Sequence, residues 1–528
     1  MRIRDWLIFK PKTNKPFVLT KTTHKEEEPF CPREFSEDID KNTELLKSIY
    51  SMGENSDFLI RNFSVRIGFT KRRALIAYYD GMTSSDITNL VILKGLMTES
   101  EKVRVFSVEA LIQTLLPEGQ LKAETLVQKA LEKINVGFCL IMIDGEKTVY
   151  MADIKKWAHR PVEAAKNELN ILGPQQSFNE SLRENTALIR RIIRNENMIV
   201  KDVSVGSITK TTCAVVFMRT IANQSLVKEV LRRLEGLEVD SLISSAELEQ
   251  LLEEKSTLTL PQMLSTEKPD RAARAILQGR VAVIVDGSPF AIIMPVTVMD
   301  VETSGEDPYL RFPFRLFSKG IRLIGLVLSI YLPAFYLAII TYHSEVLPTD
   351  MLIALVASLE KVPFTTLMEL LFLEISFEII REASVMTPSN FGSTLGIVGA
   401  LILGQAAVSA NLVDPVLIIV VSITGISSFS TPGYGFAYAN RILKFIYIIL
   451  AYFGGFLGIV SGMFIHLLLW SSAHSFGVPM LAPFSPRTDD SSRYFSPPIW
   501  KNENRPDFLN VQRRKQQKHI ARRWTLDE

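Results

Sequence analysis

The pattern of hydrophobic and polar positions divides the chain into three parts. Up to about residue 310, short apolar runs alternate with amphipathic helical patterns, and charged residues are spread throughout. Beyond that point, long charge-free stretches dominate until a strongly basic tail begins. Continuous apolar stretches are typical of membrane spans, whereas short alternating elements are typical of a domain in water. We therefore expect a water-exposed domain, a membrane domain and a tail.

Short apolar runs that end in Asp-Gly mark strands in the first part. The runs are 74–79, 137–143 and 281–285, followed by Asp80-Gly81, Asp144-Gly145 and Asp286-Gly287. A further strand is predicted at 212–218, and helices at 108–116, 123–134, 226–234 and 246–254. This alternation predicts an α/β cytosolic N-terminal domain of two subdomains. The Asp-Gly carboxylates could be catalytic, but the dipeptide favours a tight turn.

These patterns define five segments. They are a mobile N-terminal arm (1–35), a first cytosolic α/β subdomain (36–172), a second (173–310), an α-helical polytopic membrane domain of four to six helices (311–484), and a basic cytosolic tail (485–528). The subdomain joint falls near Gly173-Pro174, where the helix and strand patterns are interrupted.

The first membrane span is predicted at 323–342, which carries no charge and is long enough to cross about 30 Å of hydrocarbon. Arg311, Arg315, Lys319 and Arg322 precede it, so the positive-inside rule places the α/β domain in the cytoplasm. Further spans are predicted at 391–413, 415–440 and 445–470. Cytoplasmic location of both ends requires an even number of crossings. Whether the more charged segment 351–383 crosses or re-enters stays open.

A charged stripe lies in that segment, on one face of a predicted helix: Glu374, Glu378, Arg381 and Glu382. In hydrocarbon, an ionised side chain costs roughly 2.5–3.5 kcal/mol. The stripe is therefore a candidate lining of a pore or vestibule, where acidic residues would concentrate cations. Structural ion pairing with Arg381 and neighbouring basic residues is the other reading.

Small residues recur at every fourth position in two places. They are Gly392, Gly396, Ala400 and Gly404, and then Gly454, Gly458 and Gly462. Such rows allow helix backbones to approach closely, so they predict helix packing within or between subunits.

Composition excludes several function classes. The net charge is +2 and no basic stripe with aromatic residues appears, which argues against a nucleic-acid partner. Three widely spaced cysteines indicate neither a disulfide framework nor a metal knuckle. No phosphate-binding loop, nucleophile elbow or zinc-binding helix motif is present. We expect no enzyme activity, no cofactor and no metal.

Sequence motifs between residues 57 and 483 carry a resemblance to a known family. They include Gly173-Pro174, Leu188-Ile189-Arg190-Arg191, Asp286-Gly287-Ser288-Pro289, Phe377-Glu378-Ile379, Gly404-Gln405-Ala406-Ala407-Val408 and Ser475-Phe476-Gly477-Val478-Pro479. With these motifs in this order, the chain resembles the A subunits of GerA-type spore germinant receptors.

The resemblance implies a multi-pass protein of the spore inner membrane in an endospore-forming bacterium. It further implies a homo-oligomeric ring of five subunits that acts as a nutrient-gated channel for monovalent cations. The implied partners are a permease-like B subunit, a lipoprotein C subunit and membrane lipid. A secondary transporter is one alternative, although it would need paired broken helices in two repeated halves, and the sequence has no such repeat. A membrane-anchored scaffold of the receptor complex is the other.

Overall fold

The computed structural model describes residues 17–21, 31–101, 103, 105–116, 121–155, 168, 170–255, 260–386, 404–488 and 498–516. Within these residues the predicted architecture is confirmed: an α/β domain with two sheets precedes a bundle of long apolar helices. Cys31, Cys139 and Cys213 are all free thiols.

Each subdomain is built around a five-stranded antiparallel sheet. The first sheet has the order β1-β2-β4-β5-β3, from β1 (Phe58–Ile67), β2 (Thr70–Tyr79), β3 (Lys122–Glu124), β4 (Cys139–Ile143) and β5 (Val149–Ala152). The second has the order β6-β7-β9-β10-β8, from β6 (Met198–Val205), β7 (Thr211–Met218), β8 (Leu264–Thr266), β9 (Val281–Val285) and β10 (Ala291–Met294). The two orders are the same, which indicates a duplicated unit.

Helices cover the sheets. In the first subdomain they are α1 (Ile39–Ile49), α2 (Ser85–Ile87), which continues through π-helical turns at Thr88–Leu93 into α3 (Lys94–Met97), then α4 (Val108–Leu115) and α5 (Val127–Ile134). In the second they are α6 (Leu182–Ile192), α7 (Gln224–Glu235), α8 (Ser245–Leu252), α9 (Pro269–Leu277) and α10 (Val298–Glu302). Strand β9 is buried along its whole length because helices cover both of its faces.

The Asp-Gly dipeptides after β4 and β9 are turns that also hold a helix. Asp144 accepts a hydrogen bond from the Ile39 amide at the start of α1, over 3.3 Å. Asp286 accepts the equivalent bond from the Leu182 amide at the start of α6, over 3.2 Å. The glycine after each aspartate has a positive φ, of 87° and 83°. The carboxylates therefore satisfy free helix N–H groups, which is a structural role.

The helical part contains α11 (Phe312–Tyr342), α12 (Thr349–Leu359), α13 (Thr366–Met386), α14 (Pro415–Ser428) and α15 (Tyr434–Ser471). The predicted span 415–440 is wrong as a single helix, because α14 ends at Ser428 and a turn containing Gly433 (φ 85°) precedes α15. The predicted span 391–413 falls largely outside the described residues.

Helix α15 is a hairpin of two antiparallel arms. Gly455 has φ 53° and ψ −137°, which are not helical values. Across the hairpin, the rings of Phe436 and Trp470 lie 6.3 Å apart, and the Tyr447 hydroxyl lies 3.2 Å from His466 Nδ1. In a straight helix, 34 residues would separate the first pair by about 50 Å. Gly455 therefore reverses the chain direction.

Both terminal regions dock on the second subdomain. Leu19 is buried in its core, so this part of the predicted mobile arm is packed. From the tail, the Asn510 side chain donates to the Leu19 carbonyl and Leu509 joins the same core. The short hairpin of β11 (His474–Ser475) and β12 (Val478–Pro479) also packs there through Phe476. The helical domain thus ends at about Ser471, earlier than the predicted boundary at 484, because the chain has returned to the α/β domain.

Candidate functional site

The predicted charged stripe lies on α13, which packs between α14 and the first arm of α15. Glu369 of α13 contacts the start of α14, where its carboxylate accepts from the Asp414 amide over 2.9 Å. Arg381, further along α13, donates to the Ser428 hydroxyl at the end of α14 over 2.5 Å. The two helices therefore run parallel, and one face of α13 is covered along this length.

A lysine from α15 holds the centre of the stripe. Lys444 Nζ lies 2.5 Å from Glu374 Oε2 and 3.2 Å from Glu378 Oε1. Glu374 is 1% exposed and Lys444 is 3% exposed. At such burial the attraction between the charges is strong, but removing either partner leaves an isolated charge in a poorly polarisable environment.

Two arginines complete the cluster around Glu378. Arg441 Nε donates to Glu378 Oε2 over 2.8 Å, and Arg381 Nη1 lies 3.7 Å from Glu378 Oε1. The Arg381 guanidinium also lies over the rings of Phe377 and Phe429, at 4.9 Å and 4.8 Å. We call Glu374, Glu378, Arg381, Arg441 and Lys444 the charge cluster.

Glu382 differs from the other three residues of the stripe, because its side chain is exposed. The apolar residues Met368, Phe372, Ile375 and Ile379 on α13 are also exposed. This side of α13 is therefore not covered by the part of the chain that the structure describes.

Sequence reasoning missed Arg441 and Lys444 as cluster members. It placed them in a connection between two predicted spans, since they are the charged residues that separate the apolar stretches 415–440 and 445–470. In the structure they lie three residues apart inside the first arm of α15. A spacing of three puts both on one helix face, which was the available signal.

The small residues of α15 lie where its two arms meet. A Cβ atom on Gly458 would come 2.0 Å from the Leu450 carbonyl oxygen, and one on Gly462 would come 2.6 Å from the Leu450 side chain. Gly454, beside the turn, has nothing within 4 Å of such an atom. Gly404 would meet only Ile418, at 3.9 Å. Gly392, Gly396 and Ala400 lie outside the described residues.

A second buried ion pair joins the two α/β subdomains. Arg190 of α6 donates through Nη2 to Asp57 Oδ1 over 2.6 Å and to Asn55 Oδ1 over 3.0 Å. Its guanidinium lies 4.1 Å from the centre of the Tyr79 ring. Burial raises the pKa of the Tyr79 hydroxyl, so this residue stays neutral beside the pair. Arg190 thus links the start of β1 and the end of β2 to the second subdomain.

Two described segments, Phe312–Tyr342 and Gly435–Ser471, have the apolar composition and the length of membrane-crossing segments. The second reverses at Gly455, so its length is divided between two arms. Only 39% and 28% of the two segments' most apolar windows are buried within the chain. Large apolar side chains such as Ile324, Phe453, Leu457 and Phe464 are exposed. In water, such a surface would be costly, so lipid or further protein must cover it.

The fold and the charge cluster together define a membrane protein with a duplicated α/β domain and an internally paired helical domain. Residues 44–508 match the family model described as Bacillus/Clostridium GerA spore germination protein. The chain therefore belongs to the GerA family of spore germination proteins.

Several curated relatives support this membership. The chain is 35% identical to "Spore germination protein KA" of Bacillus subtilis (strain 168), over 87% of this chain and 85% of that protein. It is 36% identical to "Spore germination protein GerQA" of Bacillus cereus, over 76% and 81%. Among solved structures, the N-terminal domain of the A subunit of the Bacillus megaterium spore germinant receptor GerK3 matches 50% of this chain and 97% of that chain, with 25% identity and a TM-score of 0.38.

Proposed function

We propose that this chain is the A subunit of a spore germinant receptor and forms a nutrient-gated channel that releases monovalent cations to trigger germination. In this proposal five copies form a ring in the spore inner membrane, with the α/β domain in the cytoplasm. A permease-like B subunit holds the nutrient, and a lipoprotein C subunit completes the receptor. Family membership supports the role in germination.

The observation that supports a conduit is the exposed carboxylate of Glu382 on a helix whose outer face is otherwise apolar. An ionised carboxylate facing lipid is unfavourable, whereas one facing a water-filled passage between subunits is not. Repeated around a ring, Glu382 would attract cations to the passage. We therefore assign the vestibule role to Glu382.

Within the same proposal, Glu374, Glu378 and Arg381 hold α13 in place. The carboxylates of Glu374 and Glu378 are paired within the chain with Lys444 and Arg441, so they add little net negative charge to a passage. Because α13 lies alongside α14 and α15 over this length, we propose that the segment 351–383 crosses the membrane fully. The crossings are then α11, the segment 351–383, the predicted span 391–413, α14 and the two arms of α15. Six crossings would place both chain ends in the cytoplasm.

The test is ion release from liposomes that contain the chain with its partner subunits. We expect nutrient to release potassium from the lumen, and Glu382→Gln to reduce this flux while the mass of the detergent-purified ring stays the same. Glu235→Gln removes an exposed carboxylate from the cytosolic helix α7 and serves as the matched control. It should leave the flux unchanged.

Other results would favour the alternatives. Uptake of the nutrient against its gradient, with no ring formed, would indicate a secondary transporter. Normal assembly with partners, but no flux in the wild type, would indicate a membrane-anchored scaffold. Equal flux from the wild type and Glu382→Gln would leave the channel intact and remove Glu382 from its lining.

A further inference from the structure

A small polar cleft lies beside the charge cluster, between α11, the end of α14 and the first arm of α15. Its walls carry Ser329, Ser428, Thr431, Ala437, Asn440, Arg441 and Lys444. The four residues from α15 follow the spacing of a single helix face. The cavity at its base has a volume of about 10 Å³. This is room for about one water-sized species, so the cleft is too small for an organic ligand.

Asn440, on the wall of this cleft, is a buried amide that the charge cluster does not pair. Its side chain is 4% exposed, and neither its Oδ1 nor its Nδ2 has a hydrogen-bond partner among the described residues. The Thr431 hydroxyl, on the same cleft, also has no partner among them. Leaving a buried amide without partners is unfavourable, so such a group is normally satisfied by a bound species.

The charges around the cleft favour an anion as that species. The charge cluster contains three cations, Arg381, Arg441 and Lys444, against two carboxylates, Glu374 and Glu378. Glu382 is exposed and stands apart. The cluster therefore carries one more positive than negative charge. Its lysine is buried and its two arginines are partly buried, so this excess charge attracts an anion.

The groups on the walls also favour an anion. Arg441 and Lys444 are donors that cannot accept a hydrogen bond, and Asn440 Nδ2 and the Thr431 hydroxyl add two further donors. Among the side chains on the walls, only the hydroxyl oxygens and Asn440 Oδ1 can accept a hydrogen bond.

We propose that this cleft binds a monatomic anion of the size of chloride, held by Asn440, Thr431, Arg441 and Lys444. The anion supplies the negative charge that the cluster lacks and satisfies the buried amide. Its binding ties α15 to the turn that follows α14, so anion concentration controls the stability of the helical domain.

The test compares the melting temperature of the full chain in detergent, in sodium chloride and in sodium gluconate at equal ionic strength. Gluconate is too large for the cleft. We expect chloride to raise the melting temperature saturably, because a ligand that binds only the folded state stabilises it by mass action. Bromide should act in the same way.

Asn440→Asp tests the site itself, because it places a fixed negative charge where the anion would lie. This variant should melt higher than the wild type in gluconate and lose its response to chloride. Asn411→Asp, an exposed position in the same domain, is the matched control and should keep the chloride response. ³⁵Cl line broadening by the wild type, lost in Asn440→Asp, provides an independent readout.

Three results would overturn the proposal. Equal melting in chloride and gluconate would mean that water alone fills the cleft. A chloride response that persists in Asn440→Asp would place the anion elsewhere. Stabilisation of the delipidated protein by anionic lipid vesicles but not by chloride, lost in Asn440→Asp, would assign the cleft to a lipid phosphate.

Discussion

Arg190 and Asp57 lie 133 residues apart in the sequence and form a buried ion pair, with Arg190 Nη2 2.6 Å from Asp57 Oδ1. Their side chains are 2% and 1% exposed. The pair lies where the two α/β subdomains meet, and the Ser56 amide beside it donates to the Val200 carbonyl of β6. The duplicated halves are thus joined by a few specific polar contacts.

Removal of Arg190 should loosen this joint. Arg190→Met leaves Asp57 buried without its cation, which we expect to cost about 3–5 kcal/mol of unfolding free energy. Limited proteolysis of the full chain between the subdomains would measure the effect. Arg72→Ala, whose ion pair with Glu146 lies on the exposed surface of the first subdomain, is the control and should cost about 1 kcal/mol or less. Equal protease resistance of wild type and Arg190→Met would contradict this role.

The pair of Glu374 and Lys444 should show strong coupling between its two residues. Glu374→Gln or Lys444→Met alone leaves an uncompensated buried charge, and we expect each to lower the melting temperature of the helical domain markedly. The double variant removes both charges, so it should lose less than the sum of the two single losses. A thermal-melt double-mutant cycle in detergent measures this. Additive losses would show that the two side chains act independently.

Alanine should destabilise the α15 hairpin more at Gly455 than at the adjacent Gly454. Gly455→Ala forces a side chain into a conformation with φ 53° and ψ −137°, at roughly 1–3 kcal/mol, and brings Cβ to 3.0 Å from His343 Nε2. Gly454→Ala meets no atom within 4 Å and should change stability by about 1 kcal/mol at most. Their melting temperatures test this. Equal melting temperatures for the two variants would contradict the expectation that position 455 requires glycine.

Glu253 should make stability depend on pH. Burial, and then the neighbouring Glu249, raise the pKa of Glu253 from its ordinary value of 4.5 to about 7. A carboxyl group with a higher pKa in the folded chain binds more protons there than in the unfolded chain. Its contribution is therefore most favourable below pH 4.5 and is lost as the pH rises to about 7.

Glu253→Gln should remove this part of the pH dependence. Above about pH 7 the variant should be more stable than the wild type, and the difference should shrink as the pH falls toward 4.5. Thermal melts at several pH values would measure it. Glu235→Gln, an exposed position, controls for the loss of one charge. A wild-type curve parallel to that of Glu253→Gln would contradict the raised pKa.

Local patterns determined the elements of the α/β domain. The apolar run 281–285 is strand β9, and the helix predicted at 226–234 is part of α7, because apolar periodicity and turn residues act over a few residues along the chain. The same local signals explain why the Asp-Gly turns were predicted but their contacts were not. The helix N-terminus that Asp144 holds lies 105 residues away, so only folding brings it there.

The tertiary structure decided where the membrane helices break and which charges meet. Hydropathy placed a connection at Arg441 and Lys444, because charged residues normally end a span. Folding instead pairs them with Glu374 and Glu378, so the helix continues through them. The helices are interrupted at the turn between Ser428 and Tyr434 and at Gly455. The sequence alone therefore identified the family, the α/β and helical domains, and the charged stripe. The partners of that stripe depended on long-range packing, since charge is tolerated in an apolar helix only where another part of the chain compensates it.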